Sequence, residues 1–163
     1  MNDLLINEAD VMHALNEVMD PEIPTLSVID MGMIVSVSIN ESEARISMIP
    51  TFTACPALHI IKQQIHDRVL SMGFENVLVT IDDQVIWNSD RITNEGNEKL
   101  KAFGLGIPKR HEGNFSVSEI ENSTCPHCGS DDTTLKSLFG STLCRSIHFC
   151  FSCKQGFERF KPL

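Results

Sequence analysis

Two periods of apolar and polar positions alternate along the first half of the chain. Over residues 7–19, Val11, Met12, Leu15, Val18 and Met19 recur at three- and four-residue spacing, which predicts one apolar face of a helix. Asn7 suits its N-cap, Glu8 and Asp10 its first turn, and Asp20-Pro21 its stop. The period then falls to two. Met33, Val35, Val37 and Ile39 oppose Ile34, Ser36 and Ser38; after a turn at 40–42, Ala44, Ile46 and Met48 share one side. This predicts a β-hairpin with one buried face. Leu58, Ile61, Ile65, Val69 and Met72 restore helical spacing up to Gly73, and Val77, Val79 and Ile81 predict a third strand. The order α-β-β-α-β describes an α+β chain opening with a small two-layer α/β sandwich. Trp87 is expected to pack against its sheet.

Between these elements lie two segments with chemistry of their own. Asp20-Pro21-Glu22-Ile23-Pro24 leads into Thr25–Met33 and carries, with Asp30, three carboxylates in a short span. Turn chemistry explains them, and so would the lining of a shared site. The second segment, Pro50-Thr51-Phe52-Thr53-Ala54-Cys55-Pro56-Ala57, is a strand-to-helix corner. Pro56 suits the first helical position, and a thiolate on Cys55 would face the positive end of the helix dipole. That predicts a reactive or metal-binding thiol; a small apolar gap-filler is the alternative. His59 and His66 on the following helix read as solvated.

Periodicity weakens in the second half. Thr93–Phe103 reads as a short helix capped by Thr93 and stopped by Gly104; 104–122 has linker composition, with a short strand expected at 115–117. Cys125-Pro126-His127-Cys128 and Cys150-Phe151-Ser152-Cys153 are two CxxC knuckles 21 residues apart. Four thiolates at this spacing predict a tetrahedral zinc site in a ribbon of strands near 133–136, 147–149 and 157–160. Cys144 is left over, either a free thiol or a transient ligand beside Arg145. The expected division is 1–103 for the α/β domain, 104–122 for the linker and 123–163 for the ribbon.

Charge sharpens that division. The chain carries a net charge of −9. Residues 1–122 hold 8 Lys and Arg against 19 Asp and Glu, a balance of −11, and 123–163 hold 5 against 3, a balance of +2. An acidic body disfavours nucleic acid and membrane surfaces as partners. The first ten residues hold acids and no bases, unlike a secretory signal, so a cytoplasmic protein is expected, and CxxC pairs there speak for metal rather than disulfides.

Asp20-Pro21-Glu22-Ile23-Pro24, Ser27-Val28-Ile29-Asp30-Met31-Gly32 and Thr51-Phe52-Thr53-Ala54-Cys55-Pro56 together resemble the signatures of the SufT-like iron–sulfur assembly family. Met31 stands where that family's second signature carries leucine. With a C-terminal ribbon containing Phe139-Gly140-Ser141-Thr142 and Cys144-Arg145, the chain resembles the branch serving aerobic phenylacetate catabolism. The resemblance implies an accessory role, not a catalytic one. It implies a maturation factor for the phenylacetyl-CoA epoxidase, helping iron or an iron–sulfur cluster into the oxygenase or reductase subunit. Cys55 would be the transient ligand, with Asp20, Glu22 and Thr53 shaping its surroundings; Cys125, Cys128, Cys150 and Cys153 would hold structural zinc. A homodimer sharing one cluster through two Cys55 thiolates, a ribbon adaptor without metal transfer, and a thiol-dependent enzyme remain open alternatives.

Overall fold

Helix α1 (Glu8–Ala14) starts as its cap residues predict. Asn7 Oδ1 accepts the N–H groups of Ala9 and Asp10, and the Asp10 carboxylate accepts the N–H of Asn7, a complete capping box. The helix ends sooner than expected. Leu15–Glu17 tightens into a 3₁₀ turn, Val18 is extended, and Met19–Asp20 becomes strand β1, antiparallel to β2 (Ile23–Ser27). Two local features favour this over more helix: the Val28 N–H reaches Val18 O at 2.9 Å, and Asp20 Oδ1 collects the N–H groups of Glu22 and Ile23.

The computed structural model describes residues 6–114 and 116–163. Its chain forms two compact units, one running to Pro50 and resuming over Ala54–Ile86, the other made of Thr51–Thr53 and Trp87–Leu163. In the first, β3 (Ile34–Asn40) and β4 (Glu43–Met48) pair antiparallel with Val37 opposite Ile46, and β5 (Asn76–Ile81) runs parallel to β4 with Val79 beside Ile46. Helix α2 (Leu58–Leu70) makes the crossover that a parallel pair requires. Its Ile61, Ile65 and Val69 are fully buried, as are Ile46 and Met48 of β4 and Val11 and Leu15 near α1. The two-layer α-β-β-α-β arrangement is therefore present, with the small β1–β2 hairpin added.

The second unit is a ribbon with an integral N-terminal support. Strands β6 (Thr133–Ser137), β7 (Arg145–Cys150) and β8 (Gly156–Phe160) form an antiparallel sheet in that order. Helix α3 (Asn94–Ala102) is capped by Thr93, whose side chain accepts the Gly96 N–H. The unit boundary falls at Ile86–Trp87, where residue 103 was expected. Trp87 is buried and meets Phe160 of β8 edge-on at 5.8 Å, which joins it to the ribbon unit. Residues 104–122 carry structure as well. Gly106 pairs with β8 through the Glu158 carbonyl at 2.8 Å and the Phe160 N–H at 3.0 Å. The expected strand at 115–117 is not formed as such: Phe115 lies outside the described residues, and Val117 opens helix α4 (Val117–Glu121) behind a capping box of Ser116 and Glu119.

Arg159 explains how this segment is held. It is fully buried, and its guanidinium donates to the carbonyls of Glu119 and Ile120, closing the last turn of α4. Burial lowers its pKa to about 10, which leaves it charged at neutral pH. No helix among the described residues is long and apolar enough to cross a membrane.

Candidate metal centre and thiol site

The ribbon brings its four knuckle cysteines together. Cys125 precedes β6, Cys150 ends β7, and Cys128 and Cys153 close the two CxxC turns. The first turn passes through Gly129 at φ 74°, a left-handed conformation that glycine adopts freely. The second passes through Lys154 at φ 61° in the equivalent place. The sulfurs of Cys125 and Cys153 are 3.7 Å apart, those of Cys128 and Cys150 3.6 Å, and all four lie within 4.8 Å of one another. A tetrahedron with metal–sulfur bonds of about 2.3 Å has sulfur–sulfur edges of about 3.8 Å, so the quartet fits a single tetrahedral ion.

Electrostatics within the quartet argue the same way. The N–H groups of Cys153 and Ser152 point at the Cys150 sulfur and bring its pKa down to about 7. Burial and the neighbouring sulfurs push Cys153 up to about 12 against the N–H of Gln155. Four thiolates this close repel, and a cation at their centre is what lets all of them ionise. Neither nearby histidine is needed as a ligand. His148 is buried on the inner face, hydrogen-bonded to Ser146 Oγ and stacked on Phe157, and burial followed by the charge of Arg159 brings its pKa to about 4. His127 meets the edge of the same ring.

Cys144 stands apart from the quartet, half-buried, with Thr142 Oγ1 at 3.0 Å from its sulfur. The loop before it is clamped. Glu158 accepts from the Ser141 N–H and hydroxyl and pairs with Arg145 at 3.1 Å. Burial raises the Glu158 pKa, but these donors outweigh it and leave the carboxyl below its ordinary range.

The second thiol site is Cys55, and here the structure corrects the sequence reading. Helix α2 begins at Leu58 with Ala57 as its N-cap, so Pro56 lies ahead of the helix rather than at its first position. The N–H groups of Ala57 and Leu58 do act on the Cys55 sulfur and lower its pKa. Partial burial works harder in the opposite sense, and the carboxylates of Glu22 and Asp20 add to it, so the pKa is raised. Cys55 is therefore not a dipole-activated thiolate. Asp20 and Glu22 are the charges acting on Cys55, whereas Asp30 is occupied by a turn: its buried carboxylate accepts the N–H and the hydroxyl of Ser27, both at 2.9 Å. Thr53 is exposed, and its segment groups with the second unit. His59 is exposed on α2, as expected for a solvated side chain.

Residue pattern alone left the reach of Glu22 and Asp20 to Cys55 open; the close spacing of the two acids was its only signal, and the family resemblance supplied the rest. Among the described residues, no other group of three or more histidine, cysteine or acidic side chains converges as the ribbon quartet does. Cys55 is thus a half-buried thiol under the influence of two carboxylates, outside any converging group of metal-ligating side chains among the described residues.

Comparison with known proteins places both units. Residues 8–81 match the model of the iron–sulfur cluster assembly protein family, and residues 109–161 match the PaaD zinc β-ribbon domain. An Escherichia coli (strain K12) protein named as a component of 1,2-phenylacetyl-CoA epoxidase is 33% identical over 153 residues, covering 93% of this chain and 91% of that one. An Fe-S protein maturation auxiliary factor of Porphyromonas gingivalis (strain ATCC BAA-308 / W83) is 32% identical over 102 residues, 61% of this chain and 95% of its own. In fold, a domain of unknown function (DUF59) from Bacillus anthracis superposes with a TM-score of 0.53 at 21% identity, over 57% of this chain and 90% of that one. With such identity along nearly its whole length, the chain belongs to the PaaD family, an iron–sulfur cluster assembly domain followed by a zinc β-ribbon.

Proposed function

We propose that this protein is a cytoplasmic maturation factor for the phenylacetyl-CoA epoxidase, delivering iron or an iron–sulfur cluster to its oxygenase or reductase subunit. The observation that carries this reading is the pair of carboxylates beside Cys55. A nucleophilic cysteine is activated by positive neighbours that lower its pKa. Glu22 and Asp20 do the reverse, which disfavours a bare thiolate and favours a thiolate that forms as a cation arrives. The incomplete ligand set agrees with cargo that is held briefly and passed on: the open positions are where a client's ligands would enter. Thr53, two residues before the thiol, would shape the approach.

The ribbon has the opposite design. Its four sulfurs close a tetrahedron and leave no position for exchange, which suits a structural ion. We assign zinc to it, held by Cys125, Cys128, Cys150 and Cys153, since a redox-inert ion with no geometric preference is what a purely structural thiolate cage requires. The relative named as an epoxidase component and the one named as a maturation factor support the two halves of the reading.

The test is co-production of the oxygenase and reductase subunits with wild-type protein, with Cys55→Ala, and alone, followed by iron and sulfide analysis of each client and by epoxidase activity. Cys55→Ala removes one half-buried sulfur at a corner and should cost only about 1 kcal/mol, yet alanine has no lone pair to offer iron. Clients made beside the variant should resemble those made alone. Clients as fully loaded as those made beside wild type would show that Cys55 is not the working ligand.

A further inference from the structure

One face of the ribbon sheet carries apolar and aromatic side chains outside the core. Along β7, Ser146, His148 and Cys150 turn inward, while Ile147 and Phe149 turn outward. Gly156 lies opposite Phe149 in the register with β8 and Thr134 opposite it in that with β6, so small neighbours leave the ring only half-buried. Phe151, in the second knuckle, meets Phe149 edge-on at 5.4 Å and is 42% exposed. Two lysines flank the pair. The Lys136 ammonium lies 5.7 Å from the Phe149 ring and 6.0 Å from that of Phe151, and the Lys154 ammonium lies 6.0 Å from Phe151.

The position of Lys154 is the telling detail. The two knuckles repeat one backbone turn, and the first uses Gly129 where the left-handed conformation falls. The second places lysine there at φ 61°, at a backbone cost of roughly 1 kcal/mol. The lysine is not a metal ligand, and its head lies beside the exposed Phe151 ring.

We propose that Phe149, Phe151, Lys136 and Lys154, with Ile147 at their edge, form the docking surface for an acidic client segment that carries an apolar or aromatic side chain. The inference rests on the maturation reading, because it assigns that segment to an epoxidase subunit. One exposed ring, Phe151, and the half-buried Phe149 beside it supply the anchor of a small interface, and two exposed lysines match carboxylates beside it. A nucleic acid stacked on the rings is the competing occupant of an aromatic and basic face. The chain's net charge of −9 opposes a long polyanion, whereas two or three carboxylates on a peptide meet only the local lysines.

The experiment measures binding of the metal-loaded full-length protein to purified oxygenase and reductase subunits, with wild type, Phe151→Ser, Lys136→Glu with Lys154→Glu, and Cys55→Ala. Metal content and circular dichroism verify that each variant is folded. Wild type should bind at least one subunit with an affinity that falls as salt rises. Phe151→Ser and the double charge reversal should each weaken binding by about tenfold or more; Cys55→Ala should fail to load the client. Folded surface variants that bind at wild-type affinity overturn the proposal, and so does competition by an oligothymidylate, which would assign the face to nucleic acid. If wild type binds neither subunit, the docking surface is refuted while the Cys55 reading still stands or falls on client metal content.

Discussion

Truncating Trp87 to alanine should destabilise the ribbon unit selectively, by about 4 kcal/mol. Trp87 is 5% exposed and meets Phe160 of β8 at 5.8 Å with the ring planes at 61°. A buried indole removes about 150–250 Å² from water, which at about 25 cal/mol per Å² is worth roughly 4–6 kcal/mol as an upper bound. Measured tryptophan-to-alanine losses of about 3–5 kcal/mol bring this to a central value near 4. Phe160 lies opposite Arg145 on β7, the strand that ends in Cys150, so the indole and the metal site brace the same sheet. As the single tryptophan, its emission reports on that unit alone. In wild type, a chelator strong enough to strip the ribbon metal should shift Trp87 emission to the red while much of the helical signal from α1 and α2 persists. In urea, Trp87→Ala should lower the midpoint of the metal-sensitive transition and leave the other in place. A loss below about 1 kcal/mol, or one falling on the metal-insensitive transition, would refute the placement of Trp87 in the ribbon core.

Further predictions concern single groups. Metal content should fall in Cys125→Ser and stay at one ion per chain in Cys144→Ser, since only the former belongs to the sulfur quartet; elemental analysis decides it. Glu22→Gln should speed alkylation of Cys55 at pH 8, because removing a negative neighbour lowers a raised thiol pKa and increases the thiolate fraction; an unchanged rate would break the proposed link between the two. Gly140→Ala should destabilise the ribbon by about 1–2 kcal/mol, because the new Cβ would sit 2.5 Å from Glu158 Oε1 and force that carboxylate out of its grip on Ser141 and Arg145; equal or higher stability in urea would count against the clamp. Glu158 has a lowered pKa in the folded protein, so its contribution is complete above the ordinary glutamate value of 4.5 and disappears as pH falls through the folded-state value. Glu158→Gln should therefore lose less stability on acidification than wild type does, by thermal unfolding measured across that range.

What was legible in the chain was what depends on neighbours in sequence. The hairpin β3–β4, the apolar stripe of α2 and the N-cap at Asn7 all rest on spacings of two to four residues, and each is present; that Asp10 also reaches back to the Asn7 N–H was not foreseen. The CxxC knuckles are readable for the same reason, since each turn delivers two sulfurs by itself. The β1–β2 hairpin was hidden by Pro21 and Pro24, which read as loop; in the structure one occupies the turn and the other an exposed position on a strand whose ladder is short and irregular. The support for the ribbon was hidden differently. Trp87, Ile92, Leu100 and Leu105 follow no period, and Arg159 acts on α4 from 40 residues away, so linker composition concealed a folded segment. At Cys55 the local dipole argument was sound and still lost, because burial and two carboxylates more than thirty residues upstream outweigh two backbone N–H groups.

That last outcome bears on how one chain can keep two kinds of sulfur site without confusion. In the ribbon, four sulfurs within 4.8 Å saturate a small ion, and backbone N–H groups favour ionised sulfur. Release from such a cage requires breaking several bonds together, so the ion is retained. At Cys55 a single thiol is held in its protonated form by burial and by Glu22 and Asp20. On the proposed reading, the raised thiol pKa would weaken its competition for stray metal, since a ligating thiolate must first lose its proton. The same carboxylates attract a cation once it is brought near, and they lend little to a complex after a client offers better ligands. Weak holding is what the proposed transfer role would require of Cys55, and the acidic neighbours are consistent with it. A dipole-activated thiolate, as the sequence alone suggested, would have bound a cation more tightly and suited the proposed transfer less well.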